Sequence, residues 1–153
     1  MKKLESGRSM VEMLGVLAII GVLSVGGIAG YTLSMRRHRA NGVADTAAKL
    51  ALVAYSACQN EMLNSGSDNA DSSVCSSATK NMTPSSAGLG NPPSGVTEMK
   101  VTGISAGGSL AADEVTISVT FNDNKLCNAF GSIVGGTNDC ASNNKVSFSI
   151  KQN

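Results

Sequence analysis

Apolar residues are concentrated in one long stretch near the beginning of the chain. Residues 13–34 are 22 consecutive positions without a charged side chain. A membrane-spanning helix needs about 20 apolar residues at a rise of about 1.5 Å each, so this stretch is long enough to cross a bilayer. A removable secretory signal has a shorter apolar segment, of about 7–15 residues, followed by a cleavage site of small residues. The stretch therefore favours a membrane anchor, or a helix behind a different kind of leader, over a secretory signal.

An amphipathic helical pattern follows the apolar stretch. Over residues 41–63, apolar side chains recur at intervals of three and four, which places them on one face of an α-helix. They are Val43, Ala47, Leu50, Ala54, Cys58 and Met62. No proline separates this segment from the apolar stretch. The pattern therefore predicts one continuous helix from about residue 9 to residue 63, roughly 80 Å long.

Alternation with a period of two appears in the last third of the chain and predicts strands. Apolar and hydroxyl-bearing residues alternate strictly over residues 115–121, and alternation returns over residues 146–150. Residues 122–124 predict a turn into residues 126–134, within the same strand-like region. Residues 64–95, rich in Ser, Asn and Gly, predict a long surface loop without periodicity. The expected fold class is α+β, with the long N-terminal helix packed against a small antiparallel β-sheet of three or four strands.

Composition narrows the classes of function. The chain is 42% apolar and 15% charged, and its formal net charge of +1 offers no strongly basic face for nucleic acid. The single histidine, His38, argues against a His-rich metal site and against most mechanisms with a His general base. The glycine pairs Gly107–Gly108 and Gly135–Gly136 lack the lysine of a phosphate-binding loop. We therefore expect no catalysis, no cofactor, no metal and no nucleotide site.

The four cysteines bear on the cellular compartment. None has C-x-x-C spacing, which argues against a zinc site. Four cysteines allow three disulfide connectivities, and we favour sequential pairing, Cys58 with Cys75 and Cys127 with Cys140, because it closes loops of moderate length. Disulfides require an oxidising compartment. This places the chain beyond residue 40 outside the cytoplasm and leaves the N-terminus inside.

The most specific motif lies at the boundary of the apolar stretch. A short basic head ends at Gly7, Arg8 follows, and Glu12 stands five residues after the glycine. A carboxylate beside a membrane span costs a few kcal/mol on insertion scales, so such a residue is by default functional and paired. With this motif, residues 1–35 resemble the N-terminus of the type IV pilin family. The rest of the chain resembles the family in its expected architecture alone.

The resemblance implies a set of processing and assembly roles. A prepilin peptidase would cut between Gly7 and Arg8, the new N-terminus at Arg8 would be methylated, and Glu12 would neutralise the terminal amine of a neighbouring subunit. Two features depart from the family: Arg8 stands where an apolar residue is usual, and no proline precedes Pro84, although many members carry one in the helix. Gly26 and Gly30 form a GxxxG spacing that allows two helices to approach closely.

The resemblance also implies a location and partners. The subunit would sit in the bacterial inner membrane as a single-pass protein with a cytoplasmic N-terminus, surrounded by lipid. Inner-membrane assembly machinery would then polymerise it into an extracellular helical homo-oligomer, a pilus serving adhesion, motility, DNA uptake or conjugation. Two alternatives stay open: a pseudopilin of a type II secretion system, and a monomeric membrane-anchored periplasmic binding module.

The pilin-like interpretation divides the chain into five segments. They are a leader (1–7), a transmembrane and polymerisation half of the helix (8–35), an amphipathic half (36–63), a connecting loop (64–95) and a sheet region with a C-terminal disulfide loop (96–153).

A basic cluster, Arg36–Arg37–His38–Arg39, directly follows the apolar stretch. Side chains of this kind extend along apolar surface to keep their charges in water at a membrane boundary. They can also bind lipid phosphates or acidic groups of a neighbouring subunit. Positive residues usually mark the cytoplasmic side, but Lys2, Lys3 and Arg8 merely balance the three arginines. Charge therefore does not decide the orientation, and the cysteines do.

Overall fold

The computed structural model describes residues 5–65, 72–106 and 112–151. The chain divides into two compact units, the first ending at Met35 and the second beginning at Arg36. The elements in chain order are α1 (Glu5–Ser65), α2 (Ser72–Thr79), β1 (Val96–Ala106), β2 (Ala112–Phe121), α3 (Asn124–Val134), β3 (Thr137–Asp139) and β4 (Lys145–Lys151). The expected fold class is confirmed: a long N-terminal helix packs against a small antiparallel sheet in an α+β arrangement.

The amphipathic half of α1 buries the face that its periodicity predicts. All six side chains of that face are 0–4% exposed: Val43, Ala47, Leu50, Ala54, Cys58 and Met62. Asp45 and Lys49 lie off this face, where they are exposed and form an ion pair at 2.7 Å. Spacing of i and i+4 makes these two residues neighbours on the helix surface. The second half of α1 is therefore held by burial of one apolar stripe, as for a surface helix of any globular domain.

The sheet described here has the strand order β1-β2-β4-β3, with every neighbouring pair antiparallel. β2 is central, and its inward residues Val115, Ile117 and Val119 are completely buried. Ile117 lies opposite Val101 of β1 on one side and opposite Phe148 of β4 on the other. Because successive side chains of a strand point to opposite faces, the predicted alternation supplies one apolar face, and that face packs with α1 in a single core.

Residues 124–134 form a helix, so the interpretation of residues 126–134 as part of a strand-like region is wrong. Asp123 caps the start of α3, where its carboxylate accepts a hydrogen bond from the Lys125 N–H at 3.1 Å. Gly135 ends the helix in the left-handed conformation, with φ 66°, which glycine adopts at little cost. The buried residues follow helical spacing: Leu126, Cys127, Phe130 and Gly131. Capping and this spacing, read together, would have identified the helix.

The segment expected to be a loop without regular structure, residues 64–95, contains α2. Beyond α2 the chain runs beside β1, where the Asn81 N–H donates to the Val101 carbonyl at 3.2 Å and the Val101 N–H donates to the Met82 carbonyl at 2.9 Å. These bonds satisfy backbone groups on the outer edge of β1, which would otherwise be open to pairing with another chain. The connection is thus partly ordered and covers the middle of an edge strand.

Candidate membrane and assembly surface

The first unit presents a long apolar helix surface that no described residue covers. Large apolar side chains within residues 13–34 are 53–75% exposed: Met13, Leu14, Val16, Leu17, Ile19, Ile20, Val22, Leu23, Val25, Ile28, Tyr31 and Leu33. The most apolar window of this helix has a mean hydropathy of 2.2 and is 0% buried. Soluble monomers rarely expose apolar patches of more than a few hundred Å². Among the described residues, one helix is long and apolar enough by composition to cross a membrane.

Glu12 lies at the head of this surface. Its neighbours Val11 and Met13 are 70% and 69% exposed, and Glu12 is exposed as well. Glu12 has an interaction within its own chain. The backbone of Gly7 and Arg8 belongs to the first turns of α1, and the Arg8 side chain lies outside the described residues. The cleavage and methylation expected there remain predictions.

Gly26 and Gly30 have space around them in the described structure. A Cβ atom added at either position would meet no atom within 4 Å, and the same holds for Gly15 and Gly21. Each glycine inside a helix costs about 1 kcal/mol relative to alanine. Among the described residues, no close contact at Gly26 or Gly30 offsets this cost. A second helix packed across the GxxxG spacing would offset it, since the missing side chains allow the two backbones to approach.

The basic cluster occupies the first positions of the second unit. Arg36 is half-buried, whereas Arg37, His38 and Arg39 are exposed. No carboxylate of the described residues forms an ion pair with these arginines. The next acidic residue along the chain, Asp45, is paired with Lys49 instead.

Both sequential disulfides are present. Cys58–Cys75 joins α1 to α2, and Cys127–Cys140 joins α3 to the residue that follows β3. All four cysteines are 0–4% exposed, and because each sulfur is in a disulfide bond, none is a free thiolate that could bind a metal. Within the described part of the chain, no group of three or more His, Cys, Asp or Glu side chains is placed to hold a metal ion.

The sequence pattern missed one contact that connects α1 to the sheet. The Tyr55 hydroxyl donates a hydrogen bond at 2.6 Å to the Ile150 carbonyl of β4, 95 residues away. Tyr55 is 5% exposed, and it lies four residues after the buried Ala51 and three before Cys58. That spacing would have placed it at the edge of the buried face, although the pattern carries no signal for its partner in β4.

Comparison with protein-family models, with curated proteins and with solved structures finds no match to this chain.

Proposed function

We propose that this chain is a pilin-like subunit of the type IV class, which is anchored in a membrane by the first half of α1 and polymerises through that half into an extracellular filament. The observation that carries the proposal is the apolar surface of residues 13–34, which no other part of the described chain covers. The specific motif that supports it is Gly7–Arg8 with Glu12 at the head of that surface.

The physical argument concerns what can cover such a helix. Burial of apolar surface contributes about 25 cal/mol per Å², so the helix must stay in lipid or move to an environment that offers equal burial. A bundle of the same helices from many subunits offers this. A heterologous, head-to-tail contact that does not close into a ring generates an open helical polymer, which is the geometry of a filament.

The disulfides support the orientation. Cys58–Cys75 and Cys127–Cys140 both lie in the second unit, and disulfides persist in oxidising compartments such as the periplasm and the cell exterior. With residues 13–34 as the span, the second unit lies outside the cytoplasm and the N-terminus lies inside. A leader in the cytoplasm is then accessible to a peptidase at the inner face of the membrane.

The mature N-terminus tests the proposal directly. Mass spectrometry of membrane-extracted protein should find a chain that begins at Arg8, one methyl group heavier than the unmodified form. Gly7→Val should leave a full-length chain, because the resemblance assigns the cleavage site to that glycine. Gly15→Ala is the matched control, since an added Cβ at this glycine meets no atom within 4 Å, and its processing should be normal. A wild-type chain that retains Met1 contradicts the proposal and favours the membrane-anchored binding module.

Filament imaging separates the remaining alternatives. Cells that make this chain should carry surface filaments that disappear when the chain is deleted and return when it is supplied again. A chain that is cleaved and methylated but gives no surface filament would point to a secretion pseudopilin instead.

A further inference from the structure

The arginines that follow the apolar stretch form a band of positive charge on one side of α1. Successive residues of an α-helix are turned by about 100° and rise about 1.5 Å. Arg36, Arg37 and Arg39 therefore lie within an arc of about 160° around the helix axis and within about 4.5 Å along it. We call these three residues the arginine collar.

We propose that the arginine collar binds the phosphate groups of anionic phospholipids in the membrane that residues 13–34 span. This inference rests on the membrane-anchored state of the proposed function and adds a lipid preference to it. The collar begins two residues after the last residue of the uncharged stretch, which places its guanidinium groups at headgroup depth when that stretch is in the bilayer. Guanidinium is a planar donor that matches phosphate oxygens with paired hydrogen bonds.

The charge environment leaves the collar available for an external anion. No carboxylate of the described chain pairs with it, and the next acidic residue, Asp45, is engaged by Lys49 at 2.7 Å. Arg37 and Arg39 are exposed, and Arg36 is half-buried. The collar therefore concentrates three charges that nothing in the described chain neutralises.

The position of the collar along the helix favours lipid over an acidic group of a second copy. The collar directly follows the uncharged stretch, so it lies at the headgroups of an anchored helix. In a copy packed alongside in parallel, the next acidic residue along the chain is Asp45, which its own Lys49 engages at 2.7 Å. Basic residues at a membrane surface each contribute about 1 kcal/mol of attraction to anionic lipid, which corresponds to about a fivefold change in occupancy per arginine.

Tyrosine fluorescence provides the test, because the chain has no tryptophan and two tyrosines. Tyr31 lies five residues before the collar and is 66% exposed, whereas Tyr55 is buried. In the background Tyr55→Phe, emission comes from Tyr31 alone. The full-length protein is reconstituted in two kinds of phosphatidylcholine vesicle, one with dibrominated phosphatidylglycerol and the other with the same mole fraction of dibrominated phosphatidylcholine. Bromine quenches the fluorescence of a nearby tyrosine, so the loss of emission reports which lipid lies next to Tyr31.

We expect stronger quenching by the brominated phosphatidylglycerol than by the brominated phosphatidylcholine. Each single variant, Arg36→Gln, Arg37→Gln or Arg39→Gln, should lower this preference for the anionic lipid by up to about fivefold. The preference should also fall when the ionic strength is raised. Lys80→Gln is the matched control, since this exposed lysine lies outside the collar and forms no ion pair with a carboxylate of the described residues, and it should keep the preference.

Two other outcomes would overturn the inference, and they are distinguishable. The first is equal quenching by both lipids, with no change in the arginine variants. It means that the collar keeps its charges in water or pairs with another copy, and it leaves the membrane-anchored state supported. The second is the absence of quenching by either lipid. It means that Tyr31 is not in the bilayer, and it contradicts both the membrane-anchored state and the proposed function.

Discussion

Gly136 lies between α3 and β3, and the backbone of β4 passes directly beside it. A Cβ atom at this position would overlap the Ser147 carbonyl oxygen and would approach the Phe148 Cβ to 2.6 Å. Gly42, in α1, has no atom within 4 Å of the corresponding position. An added methyl group therefore collides with β4 at Gly136 and has free space at Gly42.

Alanine substitution at these two positions should change stability in opposite directions. Gly136→Ala forces the β4 backbone to move, and overpacking of this kind costs about 1–3 kcal/mol. Gly42→Ala should raise the free energy of unfolding by about 1 kcal/mol, because alanine is the better helix former. Denaturant unfolding of the detergent-solubilised chain, followed by circular dichroism, measures both. Equal stability of Gly136→Ala and the unchanged protein would contradict the close approach of β4.

At the scale of elements, α3 is fixed to the rest of the second unit at two positions of its buried face, Phe130 and Cys127. The Phe130 ring lies 5.2 Å from the Phe121 ring and 5.5 Å from the Phe148 ring, measured between centroids. These are the only three phenylalanines of the chain. The Cys127–Cys140 bond then ties the helix to the residue after β3, across 13 positions of sequence. Burial and a covalent link thus act on the same short helix.

Removal of the Cys127–Cys140 bond should loosen α3 and the β3 edge of the sheet. Cys127→Ser leaves Cys140 without a partner, and closure of a loop of about 15 residues contributes about 3 kcal/mol in the chain-entropy model. We expect a loss of that order in the free energy of unfolding and a lower amount of surface filament. The double variant Cys127→Ser with Cys140→Ser is the control against mispairing of the remaining thiol. Unchanged stability in a strain unable to form disulfides would contradict both the bond and the assigned compartment.

At the scale of the whole molecule, Glu12 is the residue on which assembly should depend. It lies among exposed apolar residues and has an interaction within its own chain. In a filament, the amine that cleavage frees at Arg8 of an adjacent subunit would pair with the Glu12 carboxylate and would favour one axial register between neighbouring helices. The Arg8 guanidinium, on the same residue, competes for the same carboxylate.

Glu12→Ala should leave leader cleavage and membrane insertion intact and make filaments rare. Glu12→Gln retains the shape of the side chain and loses its charge. Its filament yield should be as low as that of Glu12→Ala if the charge sets the register. It should equal that of the unchanged chain if packing sets the register. Glu61→Ala, an exposed carboxylate in the second half of α1, is the matched control and should assemble normally. Filament counts by electron microscopy, with the mass of the mature chain as the processing check, measure the outcome. Normal filament yield from Glu12→Ala would exclude the pairing mechanism.

The sequence by itself determined the features that local periodicity encodes. The 3.6-residue period of residues 41–63 identified six side chains that the second unit buries, and the period of two in residues 115–121 identified the inward face of β2. An uncharged stretch of 22 residues likewise identified a helix that is long and apolar enough to cross a membrane. These patterns are readable because the side-chain direction repeats with the backbone geometry of each element.

The tertiary structure alone decided which elements meet. Periodicity shows that a face is buried but carries no information on its partner, so the placement of β4 between β2 and β3 and the Tyr55–Ile150 hydrogen bond across 95 residues were not predictable. The Asp123 cap and the helical spacing of the buried residues indicate α3 locally, but its place against the sheet has no such signal. The contacts of Phe130 with Phe121 and Phe148, which hold α3 against the sheet, come from distant parts of the chain. Packing between elements that are far apart in sequence decided these features, and no local pattern encodes it.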